Sequence, residues 1–142
     1  FNWGALLGWA AASGDLAPPA LALYAAGFFW TLGYDTIYAH QDKEDDLFVG
    51  VKSSALRLGG ATRPWLFVFY AVAVFLMVVA GALAGLAWPF YVAVAAAAAQ
   101  LAWQAARVDT DDAADCLAKF KSNRLFSWIV LGGIVLGQLV AQ

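Results

Sequence analysis

The stretch from Pro64 to Leu86 reads PWLFVFYAVAVFLMVVAGALAGL and carries no charged side chain. A helix of roughly 20 apolar residues is what the hydrocarbon core of a bilayer requires. Working outward, three more runs of this kind appear, Pro19 to Ala39, Pro89 to Arg107 and Leu125 to Ala141, and Phe1 to Ala12 reads as the end of a fifth. Pro19, Pro64 and Pro89 open three of the four complete runs, where the missing N–H of proline would have no intrahelical partner. The composition agrees: 63% of the 142 residues are hydrophobic and 13% are charged, whereas soluble domains are roughly half apolar. These observations predict an all-α integral membrane bundle, residues 1–142, with four complete transmembrane helices and part of another.

The charges test that span count. Lys43, Lys52, Arg57 and Arg63 lie in or at the edge of one long connection, and Arg107, Lys119, Lys121 and Arg124 in or at the edge of another. Two spans separate the two connections, so both fall on the same face, and the concentration of basic residues makes that face cytoplasmic. The short connections 13–18 and 87–88, and Gln142, fall on the other. The expected location is a bacterial inner (cytoplasmic) membrane, multi-pass. Gly132, Gly133 and Gly137, with the alanine run 95–99, would allow helices to approach closely in lipid.

Other classes are excluded or receive no support. A net charge of −2 gives no basic footprint for nucleic acid. The single cysteine, Cys116, rules out an intrachain disulfide, and its charged neighbours predict a loop position without a chemical role. The second long connection, 108–124, reads either as an ordinary juxtamembrane loop or as a short interfacial helix capping the mouth. The chain opens on Phe1-Asn2-Trp3-Gly4, with no methionine and no basic leader region, so the expected natural chain begins upstream.

The chemistry concentrates between Asp35 and Lys52. The second run passes from Gly33 through Tyr34-Asp35-Thr36-Ile37-Tyr38-Ala39-His40-Gln41-Asp42-Lys43-Glu44-Asp45-Asp46 directly into acid. A carboxylate within a span costs about 2.5–3.5 kcal/mol on insertion scales, so Asp35 is expected to point inward to a bundle interior or wet cavity. In a continuing helix, Asp35, Tyr38, Asp42 and Asp45 or Asp46 share one face. Carboxylates crowded together repel one another unless a cation is present, and Mg²⁺ is held by one or two carboxylates plus phosphate oxygens. A metal-diphosphate platform and a plain solvated helix end carrying Lys43 both fit the acid stripe. Lys52, in Gly50-Val51-Lys52-Ser53-Ser54, suits an anionic group or a basic anchor at the membrane surface; the segment lacks the first glycine of a phosphate-binding P-loop. His40, the only histidine, excludes a histidine-rich metal site and is expected at the interface. Phe28, Phe29, Trp30, Trp65 and Trp103 are expected to serve as lipid-facing or interfacial packing residues, with the alternative that one of them lines a cavity where its ring face stabilises a carbocation.

The segment Tyr34 to Asp46 followed by Gly50-Val51-Lys52-Ser53 resembles the second aspartate-rich motif of UbiA-type aromatic prenyltransferases, most closely those acting on 4-hydroxybenzoate in ubiquinone biosynthesis. Similarity extends through Asn2-Trp3-Gly4 to Trp9, the region of Trp88, and 116–123. The resemblance implies the C-terminal half of a nine-helix fold, a Mg²⁺ cofactor, and polyprenyl diphosphate and 4-hydroxybenzoate as substrates, joined through an allylic cation. It further implies Asp42, Asp46 and Asp45 as metal ligands, Asp35 and Tyr38 as catalytic groups, and Lys52 in both catalysis and substrate binding. Lys43 is a second candidate contact for substrate. The family's other aspartate-rich motif lies in the N-terminal half, so this chain alone is expected to be inactive. A non-catalytic subunit or remnant within a larger membrane complex is the alternative.

Overall fold

A computed structural model describes residues 2–43, 48, 50 and 52–142. The described residues form helices and connections with no strand. In chain order these are α1 (Trp3–Ser13), α2 (Pro18–Gln41), α3 (Ser54–Leu58), a 3-10 turn (Gly59–Ala61), α4 (Thr62–Leu83), α5 (Trp88–Arg107) and α6 (Ala113–Ala141). Prolines stand in the first turn of α2 and of α5, and Pro64 is the third residue of α4. With 24, 22 and 20 residues, α2, α4 and α5 are about 30–36 Å long at 1.5 Å per residue, enough for a core of roughly 30 Å. Ser54–Leu83 and Ala113–Ala141 are each both long and apolar enough to cross a membrane.

Four helices close a ring. α2 packs on α4, α4 on α5, α5 on α6 and α6 back on α2, while α1 leans on α2. Ile37, Leu66, Tyr70, Met77, Phe90, Val94, Leu101 and Phe126 are buried at the centre. The outside is apolar as well: Phe67, Phe75, Trp128, Leu131 and Leu139 are exposed, as expected of surfaces that face lipid rather than water.

The approach of the helices depends on small residues. Gly81 lies under the ring of Phe90, Gly133 against Ala93, and a Cβ on Gly137 would lie 2.8 Å from that of Phe90. Gly33 lies directly beneath the Tyr70 ring, where a Cβ would overlap it. Gly132, expected to serve the same purpose, faces open space.

Two expectations are corrected by α6. The last helix begins at Ala113, twelve residues before Leu125, because Asp112 caps it by accepting from the backbone N–H groups of Ala114 (2.9 Å) and Asp115 (3.3 Å). The connection is therefore only 108–112; of the two readings of 108–124 the helical one holds from Ala113 on, not as a short separate helix but as the first turns of a continuous one that runs on into the apolar stretch 125–141. Cys116 is accordingly helical and buried, with Sγ 3.2 Å from the Asp109 carbonyl.

Candidate active site

The two charged connections meet at one end of the ring. Lys43 Nζ lies 3.3 Å from Asp111 Oδ1, and the Arg63 guanidinium donates to the Val108 carbonyl at 2.9 Å. At the opposite end, the Ala87 N–H donates to the Gly137 carbonyl at 3.1 Å. The even-crossing reading of the sequence is thus realised as two chemically distinct ends.

At the charged end α2 presents two opposed stripes. Gly33, Thr36, Ile37 and His40 are buried. Asp35 and Tyr38 are exposed on the other side, and Asp42, partly exposed, follows at the helix C-cap. The shared face expected for Asp35, Tyr38 and Asp42 is present, but Asp35 does not point into the interior of these helices. The buried stripe is the one that meets α4, so the acids occupy the side of α2 that the described helices leave open. Asp45 and Asp46, the other expected metal ligands, lie outside the described residues. Lys52 is exposed and lines a concavity of about 400 Å³ with Ser53, Leu56 and Arg57.

The open stripe has an aromatic flank. Tyr38 packs on Phe120 with ring centroids 4.8 Å apart, Tyr34 on the same ring at 5.7 Å, and Trp30 on Phe126 at 4.7 Å. Trp30 Nε1 donates to Asn123 Oδ1 at 2.9 Å. Trp30 therefore belongs to the α2–α6 interface and is not a lipid-facing residue, whereas Phe28, Trp65 and Trp103 are exposed as expected. Below the stripe, an apolar groove of about 340 Å³ runs past Gly27, Trp30, Phe126 and Val130.

A polar network crosses the ring deeper in. Tyr70 Oη donates to Gln104 Oε1 (2.9 Å), and Gln104 Nε2 donates to Ser122 Oγ (2.8 Å), joining α4, α5 and α6. The signal for this network in the sequence is the pair Gln100 and Gln104, one turn apart in an alanine-rich run. Lys119, 7% exposed, is held by Asp115 at 2.6 Å and lies over the Trp103 ring. The Asp109 N–H and then Lys119 hold the Asp115 carboxyl below its ordinary range. Burial, followed by the charge of Asp115, pushes the Cys116 thiol up to about 11.

The acidic stripe fits a hard cation in its donor chemistry. Among the described residues neither Asp35 nor Asp42 is in an ion pair. Seven residues of helix separate them by about 10 Å, too far to share one ion. No group of three acidic, histidine or cysteine side chains converges among the described residues.

The stripe, the motif that carries it and all of the helical frame except the end of α6 lie within residues 1–131, which match the model of the UbiA prenyltransferase family. The chain belongs to the UbiA prenyltransferase family. It is 52% identical over its full length to the mitochondrial 4-hydroxybenzoate polyprenyltransferase of Caenorhabditis elegans, covering 40% of that protein. To the Arabidopsis thaliana protein of the same name it is 51% identical, with 96% of this chain and 34% of the relative covered. It is 48% identical to 4-hydroxybenzoate geranyltransferase 1 of Lithospermum erythrorhizon, with 97% of this chain and 45% of the relative covered. This UbiA-family chain thus spans about two fifths of the length of the curated relatives it matches. No solved structure matches it. The first two relatives are named as mitochondrial, which gives no support to the expected bacterial inner membrane.

Proposed function

We propose that this chain is the C-terminal half of a UbiA-type enzyme that transfers a polyprenyl group from polyprenyl diphosphate to 4-hydroxybenzoate, in ubiquinone biosynthesis. The observation that carries the reading is the open stripe of Asp35, Tyr38 and Asp42 at the charged end of α2, opposite the face buried against α4. Relatives named for 4-hydroxybenzoate as acceptor, about half identical over nearly the whole chain, support the choice of acceptor.

In this reading Asp42, with Asp46 and Asp45, holds Mg²⁺, and Asp35 lies two turns deeper as a separate polar group of the site. Mg²⁺ bound there would neutralise the charge of the diphosphate leaving group. Lys52 and Lys43 hold anionic groups of the substrates as compact point charges. Tyr38, backed by Phe120, offers a π face to the allylic cation left when diphosphate departs, and the apolar groove below excludes water from it. The open side of α2 is where the N-terminal half of the fold, with its own acidic motif, would close the site. The charged end faces the cytoplasm if the enzyme resides in a bacterial inner membrane; the names of the relatives make a mitochondrial membrane the competing location, which fractionation of the source cell distinguishes.

The deciding experiment is a Mg²⁺-dependent prenyl transfer assay on the full-length protein. Asp42→Ala and Asp46→Ala are each expected to remove most turnover while the protein still purifies as a folded membrane protein. Full Mg²⁺-dependent turnover in both variants would exclude the assignment.

A further inference from the structure

Three chain segments meet at the charged end, and each pair of them is tied by one polar link. The end of α2 is joined to the start of α4 by His40 Nε2 and Thr62 Oγ1, 2.9 Å apart. The start of α4 is joined to the α5–α6 connection by Arg63 and the Val108 carbonyl at 2.9 Å. That connection is joined back to α2 by Asp111 and Lys43 at 3.3 Å. The three links form a closed triangle beside the acidic stripe.

The buried side of the triangle has a defined direction. Thr62 Oγ1 donates its one proton to the Gly59 carbonyl at 2.8 Å, so toward His40 it can only accept, and His40 Nε2 is the donor. Both partners are enclosed, His40 at 4% exposure and Thr62 at 1%, and their bond fixes the rotation of the last turn of α2. Asp42 stands two residues beyond His40, at the C-cap of α2.

We propose that His40 and Thr62 are positioning residues for the reaction: they hold the final turn of α2 so that Asp42 keeps the placement that metal and diphosphate require. Lys43 with Asp111 ties the end of α2 to the connection between α5 and α6, and Arg63 with Val108 ties that connection to the start of α4. The links are ranked by burial, with the enclosed His40–Thr62 pair first and the exposed Lys43–Asp111 pair last. This role rests on the prenyltransferase reading given above.

The test uses the full-length protein and two readouts. Thr62→Val keeps the volume and removes the hydroxyl; Thr62→Ser restores it. Without Mg²⁺, backbone hydrogen exchange over residues 38–43 is expected to accelerate about tenfold in Thr62→Val, with the α5 core unchanged and Thr62→Ser like wild type. With Mg²⁺ and substrates, Thr62→Val is expected to lower kcat and raise the Mg²⁺ needed for half activity by about tenfold, within the up to roughly 10²-fold effect of small misplacements, while KM for the aromatic acceptor stays fixed. His40→Gln, whose amide can still donate, is expected to retain more activity than His40→Leu, and His40→Leu/Thr62→Val to be no worse than either single change. If either His40 variant fails to fold, the Thr62 pair decides alone. A wild-type protein without Mg²⁺-dependent transfer would remove the prenyltransferase reading and this role with it. A wild-type protein with transfer, whose exchange at 38–43 and Mg²⁺ dependence are both unmoved by Thr62→Val, would remove only the positioning role.

Discussion

The two ends of the helical ring are held by different physics. At the apolar end the helices interlock through missing side chains: Gly81 accepts the Phe90 ring, Gly133 and Gly137 admit α5, and a single backbone hydrogen bond from Ala87 to Gly137 closes the contact. At the charged end no comparable glycine lies at the triangle, and polar links between side chains join the segments. In lipid there is little hydrophobic force between helices, so close packing has to supply the attraction. Near the membrane surface water competes for every polar group, and there directional bonds to enclosed partners are what can fix an angle. The end that needs chemical precision is built from the directional interactions, and the end that needs only cohesion is built from contact.

The contrast can be broken from either side. The largest effect is expected from Asp42→Ala, which should reduce Mg²⁺-dependent turnover of the full-length protein by about 10²-fold or more, the scale of losing a group that acts on developing charge, and leave thermal stability near wild type. Gly81→Val should do the reverse. Overpacking against Phe90 is expected to destabilise by about 1–3 kcal/mol, measured as a lowered denaturation midpoint in detergent, with the residual folded enzyme retaining its Mg²⁺ dependence. Loss of stability in the first variant, or an altered Mg²⁺ requirement in the second, would erase the division between the ends. Gln104→Leu tests the zone between them: cutting the chain from Tyr70 to Ser122 is expected to cost about 1 kcal/mol, within the range of interhelical hydrogen bonds in membrane bundles. The smallest stability effect belongs to Lys43→Met, under about 1 kcal/mol, because its bridge to Asp111 is surface-exposed. Cys116 reports on the same end by chemistry. With the thiol pushed up from 9.0 to about 11, its thiolate fraction at neutral pH is about 10²-fold below that of an unshifted thiol, so maleimide labelling at pH 7.5 should be slow and should accelerate as pH rises toward 11 or when the 108–112 connection is disrupted.

Much of this was legible in the residues. The apolar runs gave the positions of all the long helices, and the proline starts were accurate to within two residues. The sharing of one face by Asp35, Tyr38 and Asp42 followed from helical spacing alone. What failed did so for identifiable reasons. The start of α6 was hidden because a membrane-length search follows apolarity, whereas Asp112 caps a helix that is amphipathic before it is apolar. For Trp30 the sequence left lipid, packing and a cavity wall open, and nothing in the spacing announces that Asn123, far along the chain, will accept its N–H. Asp35 is exposed among the described helices, and what it faces in the whole fold depends on segments outside this chain.

By itself, the sequence determined that the chain crosses a membrane, which connections share a side, and that a stripe of carboxylates ends the second helix, because each of these depends on local periodicity and on the solvation of charge. Only the tertiary structure decided which side of that helix is buried, that Tyr70 occupies the space above Gly33, and that His40, Arg63 and Lys43 close a triangle with Thr62, Val108 and Asp111. Those outcomes depend on how distant segments meet, and the reach of a side chain across a helix interface is set by the packing of both helices rather than by the spacing along either one.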